Sequence, residues 1–218
     1  MGASENMAFD SLMLRAWPLA DEPRLRFYGW ERPCATCGVS QRAEDFPGVD
    51  PRFLVRRPGG GGLVRHSNAE MTYAFAVSRR HPLFSMRPAD SYVEIHGALA
   101  RAARLAGAEV SLLERDAPPD GLPAECFRRP SAGDVMLASG RKLAGAAQKR
   151  TRDGLLVQGY VALSGLPGRV RGEFAALAGA ALAGLLGGGV SACGLPQFDE
   201  SLWRSEVCRF APFAEGGA

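Results

Sequence analysis

The sequence predicts an α+β protein with a mixed or antiparallel sheet flanked by helices. Residues 71–77 form an uninterrupted apolar and aromatic run typical of a buried strand, and residues 154–163 indicate a last pair of buried strands. Residues 91–106 carry an apolar stripe opposite charged side chains, which predicts an amphipathic helix. Strands occur in groups with helices inserted and without a strict βαβ rhythm, so a doubly wound parallel sheet is not expected.

Composition places the chain among ordinary globular proteins. The 218 residues are 46% hydrophobic and 22% charged, which fits one large domain or one domain with a short appendage. The net charge of +3 comes mainly from scattered arginines, so no nucleic-acid partner is expected. A mildly positive face of this kind suits an acidic protein partner.

The sequence indicates a cytoplasmic protein that is not inserted in a membrane. The Ala/Leu-rich stretch at residues 174–186 is too short to span a bilayer and is broken by glycines. The first ten residues carry acids and lack the apolar core of a signal peptide. Five cysteines, an odd number without a secretion signal, favour free thiols in a reducing compartment.

The first part of the chain is expected to form one helix and several short strands. Residues 5–16 show a helical mixture of apolar and charged side chains, with Ser4 as the expected cap. Runs of apolar and aromatic residues bounded by turn residues predict strands. The expected strands are residues 26–30, 35–39, 54–57, 63–66 and 71–77, with a loop at residues 46–53.

The second part begins with the best-marked helix of the chain. Ser91 followed by Glu94 three residues later predicts a capping box, and Gly107 predicts the end of the helix. The remaining segments follow from the same patterns of apolar runs and turn residues. They are strands at residues 109–113 and 135–137, a proline-rich loop at 116–123, a turn at 139–140, a helix at 171–186, one or two helical turns at 199–209, and a frayed end at 215–218.

A run of four glycines stands between two expected strands and follows Arg56 and Arg57. Such a run allows backbone amides to approach a phosphate or a carboxyl derivative, with the arginines supplying charge. A plain flexible hairpin explains the same residues equally well. The spacing excludes the P-loop and the dinucleotide-binding fingerprint. The residues concerned are Gly59, Gly60, Gly61 and Gly62.

A second candidate segment spans residues 125–148 and contains an isolated cysteine and an isolated lysine. Cys126 follows a polar loop, and Arg128, Arg129 and Lys142 are positioned in the sequence to stabilise a thiolate. Free cysteines are more often small buried hydrophobes, so both interpretations stay open. The small residues that follow Lys142 would let an acyl group lie close to backbone amides.

The remaining cysteines and histidines do not predict a metal site. Cys34 and Cys37 form a single C-x-x-C pair inside an expected strand, so we interpret them as core residues. The three histidines are dispersed along the chain. His66 fits a base, a ligand or a structural hydrogen-bonding residue.

Taken together, residues 5–165 resemble the biotin/lipoate protein ligase superfamily, in its branch of lipoate–protein ligase A and cysteine-dependent octanoyltransferases. The segments LRFYGW (25–30) and GVSQ (38–41) are similar to one family segment, and VRRPGGGGLVRH (55–66) is similar to the acyl-binding loop. CF, PS and Asp134, followed by GRKLAGAAQ (140–148), match the octanoyltransferase pattern in register. Pro58, Gly59 and Ala146 depart from it, because two hydroxyl residues are replaced.

The resemblance implies a class II synthetase-like catalytic domain and assigns roles within it. Lys142 would polarise the acyl carbonyl, and Cys126 would form a thioester with the acyl group. The resemblance implies one catalytic domain over residues 1–218, with no C-terminal accessory domain. The residues assigned to substrate binding are Arg56, Arg57, Gly59, Gly60, Gly61, Gly62, His66, Tyr73, Asp134, Gly145, Ala146 and Gln148.

The resemblance favours the first of three functions, and the other two remain as alternatives. The first is transfer of an octanoyl or lipoyl group in lipoate biosynthesis, from acyl carrier protein to a lysine of a lipoyl-accepting domain or glycine cleavage H protein, without a cofactor. The second is an ATP-dependent lipoate–protein ligase, which needs ATP and magnesium and acts alone or as one chain of two. The third is a non-catalytic module that binds lipoyl domains.

Overall fold

The computed structural model describes residues 1–16, 22–116, 130–188 and 196–213. Helices and strands account for most of these residues, with short 3-10 turns between some of them. The helices are α1 (Ala3–Arg15), α2 (Pro82–Ser85), α3 (Pro88–Leu105), α4 (Arg171–Leu185) and α5 (Glu200–Arg209). The strands are β1 (Arg24–Tyr28), β2 (Cys34–Cys37), β3 (Leu54–Arg56), β4 (Val64–His66), β5 (Glu70–Ser78), β6 (Val110–Leu112), β7 (Val135–Leu137), β8 (Lys142–Arg150) and β9 (Gly154–Ala162).

The larger sheet has the strand order β1-β5-β9-β8-β7-β6 among the described residues, and its neighbours pair antiparallel. Its centre is the long β5–β9 pair, which runs in register from Glu70 opposite Ala162 to Ser78 opposite Gly154. Both strands are buried along almost their whole length, as their apolar runs predicted. The expected α+β class with helices flanking a sheet is confirmed.

The smaller sheet has the order β3-β2-β4, with β2 parallel to β3 and antiparallel to β4. The two strands that flank the glycine run therefore do not pair with each other, because β2 lies between them. The alternative of a plain flexible hairpin at this place is wrong. The crossover places the glycine loop beside the end of β2, and just after this strand the Val39 amide donates to the Gly59 carbonyl over 2.9 Å.

The two faces of the larger sheet carry different cores. Tyr73 and Phe75 of β5 point to one face and pack with Ile95 of α3 and Phe174 of α4. On the other face, Ala74 and Ala76 pack with α1 and with Trp203 of α5. Small side chains on this second face of β5 let α1 approach the sheet closely, and the space left beside α1 becomes the cleft described below.

The start of α3 differs from the expectation. The helix begins at Pro88, and Ser91 lies inside its first turn, where its Oγ donates to the Pro88 carbonyl over 3.0 Å. The predicted capping box is therefore wrong, and Glu94 is exposed. Proline at the first helical position starts the helix, because its φ angle is preset and it has no amide to leave unpaired. Gly107 ends the helix as predicted, with a φ of +83°.

Several other boundaries also need correction. Residues 154–163 were expected to form two strands, but they form the single strand β9, whose partner β8 was not predicted. β8 is rich in Ala and Gly, which have low strand preference, so its pattern gave no signal. Ser4 lies inside α1, which is capped at Gly2. α5 is a complete helix of ten residues rather than one or two turns.

Candidate acyl-binding site

An open cleft of about 470 Å³, including its mouth, lies between the two sheets. Its walls come from α1, from the strands of both sheets and from the glycine loop. The floor of the cleft carries few side-chain atoms, because it consists mainly of glycine and alanine residues of β8 and β9. The lining residues are Met7, Tyr28, Trp30, Thr36, Arg57, Gly61, Val64, His66, Thr72, Gly145, Ala146, Ala147, Gln158, Gly159 and Tyr160.

Lys142 lies beside this floor at the start of β8. Its side chain extends across Gly145, so that a Cβ atom on residue 145 would lie 2.5 Å from Lys142 Nζ. The ammonium is 2.7 Å from Asp134 Oδ2, and both side chains are almost completely buried. A buried ammonium requires a counter-charge, because moving an unpaired ion from water into a protein interior costs roughly several kcal/mol. Asp134 supplies it.

Asp134 is itself held by three donors. Besides Lys142, it accepts hydrogen bonds from the Tyr92 hydroxyl and from the Ser131 amide, each over 2.7 Å. Its carboxylate is therefore fixed in position and fully hydrogen-bonded. The ammonium of Lys142 gains a rigid anchor from this arrangement.

Tyr92 was not predicted as a site residue. Its hydroxyl also accepts from the Ala146 amide over 3.1 Å, because β7 pairs with β8 only as far as Ala144 and leaves that amide without a strand partner. Burial, and then the negative charge of Asp134, raise the pKa of Tyr92, so the phenol stays protonated and donates. The sequence did contain a signal for this role, because Tyr92 lies in the apolar stripe of α3 and the hydroxyl of a buried tyrosine needs a hydrogen-bond partner.

The glycine loop is shaped by Arg57. Its guanidinium is buried and donates to the Gly60 carbonyl over 2.6 Å, to the Gly62 carbonyl over 2.7 Å and to the Thr36 carbonyl over 3.2 Å. Gly61 has a φ of +87° and lines the cleft. Arg57 thus fixes the loop backbone by direct hydrogen bonds and forms part of the cleft wall.

Arg56 points elsewhere. Its side chain is exposed, lies over the Phe213 ring at 4.8 Å and donates to the Gln41 carbonyl over 3.2 Å. The structure therefore does not bring Arg56 to the cleft, and of the two adjacent arginines only Arg57 lines it. A role for Arg56 in binding the acyl group stays a prediction.

His66 forms part of the opposite wall. Its Nδ1 donates to Glu70 Oε1 over 2.6 Å, and its Nε2 accepts from the Thr36 hydroxyl over 2.8 Å. Trp30 stacks on the imidazole with ring centroids 3.8 Å apart. Burial lowers the pKa of His66 although Glu70 opposes the shift, and this direction favours the neutral ring with its proton on Nδ1 beside the Glu70 carboxylate.

A buried polar network that the sequence did not reveal lies beside the cleft. Asp10 of α1 accepts from Arg26 over 3.0 Å, from Tyr28 over 2.7 Å and from the Gln158 amide over 2.7 Å. Burial raises the pKa of Asp10, and Arg26 counteracts this shift. Gln158 lines the cleft, so the network fixes one wall of the site.

Two further predicted substrate-binding residues lie away from the cleft lining. Tyr73 is fully buried on the α3 face, below Gly159, whose Cβ atom would lie 2.4 Å from the Tyr73 hydroxyl oxygen. The side chain of Gln148 lies at the start of α3, with its amide donating to the Pro88 carbonyl over 3.3 Å. Cys126, Arg128 and Arg129 lie outside the described residues.

The structure also bears on metal binding and on membrane insertion. Among the described residues, no group of three His, Cys, Asp or Glu side chains is placed to hold a metal ion. Cys34 and Cys37 lie in β2, where burial raises the pKa of Cys34 to about 12, and their interpretation as core residues fits this position. In the described part of the chain, the helices are too short or too polar to cross a bilayer.

Comparison with known proteins agrees with this architecture and defines the family. The fold is that of a putative lipoate protein ligase from T. acidophilum with bound lipoic acid (TM-score 0.72, 20% identity, 93% of this chain and 88% of that chain). Residues 2–168 match the lipoyl protein ligase A/B catalytic domain, and the chain belongs to that family.

The curated relatives include proteins named octanoyltransferase LipM. The protein from Carboxydothermus hydrogenoformans is 37% identical over 169 residues, which are 73% of this chain and 61% of that protein. The protein from Oceanobacillus iheyensis is 33% identical over 169 residues, which are 74% of this chain and 60% of that protein. The chain thus spans about three fifths of the length of these relatives.

Proposed function

We propose that this chain catalyses transfer of an octanoyl group in lipoate biosynthesis, from acyl carrier protein to a lysine of a lipoyl-accepting domain or of glycine cleavage H protein. The observation that carries the proposal is the buried Lys142–Asp134 pair, which holds an ammonium group beside a small-residue cleft. The relatives named octanoyltransferase support this choice of reaction. A bipartite lipoate protein ligase of the same fold is described with its E2 lipoyl domain, which supports a lipoyl domain as the acceptor.

The reaction proceeds in two acyl transfers through Cys126. The Cys126 thiolate attacks the thioester carbonyl of the donor, the bond from that carbonyl to the carrier sulfur breaks, and the carrier thiolate takes up a proton as it leaves. The neutral amine of the acceptor lysine then attacks the Cys126 thioester, an amide forms and the cysteine sulfur leaves. The amine proton passes to that sulfur or to solvent. Exchange between thioesters is nearly isoenergetic and amide formation is downhill, so ATP is not required.

Lys142 stabilises the charge that develops on the carbonyl oxygen in both transfers. Asp134 holds the ammonium in place before the substrate arrives, so little reorganisation is needed when the oxyanion forms. The apolar part of the cleft excludes water from the acyl chain, and the fixed glycine loop forms its wall.

The test incubates the protein with octanoyl-loaded carrier protein and follows the intact mass. We expect an acyl adduct that is lost in Cys126→Ala and retained in the control Cys208→Ala, whose thiol is exposed on α5. An adduct that survives Cys126→Ala would contradict the mechanism. Adenylate formation from lipoate and ATP, unaffected by Cys126→Ala, would instead identify a ligase. Binding of a lipoyl domain without either reaction would identify a non-catalytic module.

A further inference from the structure

A second cavity opens at the end of the larger sheet near Lys142. It encloses about 690 Å³ including its open mouth, and we call it the outer cavity. Its wall combines residues in and next to β4 with residues at the start of β5, at the end of β9 and just before β8. They include Leu63, Arg65, Ser67, Glu70, Arg141 and Ala162.

The outer cavity continues the acyl cleft along one face of the sheet. Thr72 and Tyr160 are cross-strand partners that line the cleft, and Glu70 and Ala162 are the partners two residues further out that line the outer cavity. Alternate residues of a strand share a face, so the two spaces are separated by about 7 Å along the strands.

Lys142 marks the border between these two spaces. Its ammonium lies over Gly145, and Gly145 is the cross-strand partner of Tyr160 in the outermost pair of the cleft. A carbonyl polarised by Lys142 therefore has the apolar cleft on one side and the outer cavity on the other.

The outer cavity is more polar than the acyl cleft, and the exposed charged side chains among its described lining residues are two arginines. Arg65 and Arg141 are exposed on its walls, and hydroxyl groups of Ser67 and Ser164 add to the lining. The carboxylate of Glu70 is directed into the wall, where it accepts from His66 over 2.6 Å and from Thr72 over 3.2 Å. A ligand with hydrogen-bonding groups and an anionic outer end matches these surroundings.

On the basis of the proposed function, we infer that the outer cavity binds the thiol arm of the acyl donor, with a phosphate ester at the end of the arm facing Arg65 and Arg141. A thioester carbonyl carries two substituents, the acyl chain and the sulfur. When the acyl chain fills the apolar cleft, the sulfur and its arm point toward the outer cavity. A nucleotide offers the same phosphate chemistry, so the test must separate these two sources.

The test measures binding of three probes to the full chain by calorimetry: 4′-phosphopantetheine, pantetheine without phosphate, and AMP. We expect 4′-phosphopantetheine to bind more tightly than pantetheine. Arg65→Gln and Arg141→Gln should each weaken 4′-phosphopantetheine about 3- to 10-fold and leave pantetheine unchanged, as expected for partly screened ionic contacts. The preference for phosphate should also decrease with added salt.

Arg152→Gln is the matched control, because Arg152 is an exposed arginine in the turn at the opposite end of β8 and β9. This variant should bind every probe as the unmodified chain does. Thermal unfolding of each variant checks that the fold is retained. The inference would be overturned if the unmodified chain bound 4′-phosphopantetheine and pantetheine equally tightly. It would also be overturned if the Arg65 and Arg141 variants bound 4′-phosphopantetheine as tightly as the unmodified chain does. Arginine-dependent binding of AMP without binding of 4′-phosphopantetheine would overturn it in favour of a nucleotide.

These measurements do not depend on catalysis. If the arm binds as expected but no acyl adduct forms, the outer cavity stands and the proposed function fails. If the adduct forms and neither arginine affects binding of the phosphate, the function stands and the assignment of the outer cavity fails.

Discussion

Gly145 leaves no room for a side chain, because a Cβ atom on it would lie 2.5 Å from Nζ and 2.4 Å from Cε of Lys142. The lysine side chain occupies the space that any other residue at position 145 would fill. The position of the ammonium thus depends on the absence of a methyl group three residues away.

Gly145→Ala should therefore displace the Lys142 ammonium. We expect the rate of acyl-enzyme formation to fall about 100-fold, as misplacement of a reacting group by about 1 Å does elsewhere. Rapid-quench mass measurements would give this rate. Gly184→Ala in α4 is the control, since outside its own helix turn no described atom lies within 4 Å of its added Cβ. A loss of rate in the control equal to that in Gly145→Ala would argue against this explanation.

Asp134→Asn should destabilise the fold. The substitution leaves a buried ammonium without its counter-charge, which costs about 3–5 kcal/mol in comparable buried pairs. Tyr92→Phe, which removes only the hydroxyl between Asp134 and the Ala146 amide, should cost about 1–3 kcal/mol. Urea unfolding measures both, and Glu200→Gln in an exposed ion pair should change little. Equal stability of Asp134→Asn and the unmodified chain would show that the pair is not buried as described.

Arg57→Lys should weaken the glycine loop, whereas Arg56→Lys should not. Lysine keeps the charge at residue 57 but cannot donate at once to the Gly60, Gly62 and Thr36 carbonyls. We expect a loss of about 2–3 kcal/mol in the free energy of unfolding, together with weaker binding of the acyl donor. The same change at exposed Arg56 is the matched control. Identical losses at both positions would contradict the role assigned to Arg57.

His96 should make the protein less stable as the pH falls. Its Nδ1 donates to the Gly133 carbonyl over 2.7 Å, and its Nε2 is buried without a hydrogen-bond partner among the described residues. Burial lowers the pKa of His96 to about 4. Between pH about 4 and 6.5 the unfolded chain therefore binds a proton that the folded chain does not, so stability decreases with falling pH by up to about 3 kcal/mol.

The measurement for His96 is urea unfolding at several pH values in this window. His96→Asn removes the titrating group, while the asparagine amide can still donate to the Gly133 carbonyl. As the pH falls, the free energy of unfolding of the unmodified chain should therefore decrease more than that of the variant. A difference that is constant across the window would contradict the assignment.

Local patterns explain which elements could be predicted. The apolar run of β5 and the stripe of α3 each lie within one short window, and both elements are confirmed. Lys142 was singled out because small residues follow it, and the structure places it beside the cleft. By contrast, β8 was missed because its strand character comes from pairing with β9 rather than from its own alanines and glycines.

The sequence by itself determined the family resemblance, the α+β class and the candidates Lys142, Asp134 and the glycine loop, because each of these is written in contiguous residues. Tertiary structure alone decided that Arg57 rather than Arg56 faces the cleft, that Tyr92 holds Asp134, and that Asp10 reaches Gln158 across 148 residues of chain. Such contacts depend on which strands pair and which helix covers them. A buried polar group must find a hydrogen-bond partner wherever the fold brings one within reach, and local sequence does not record that distance.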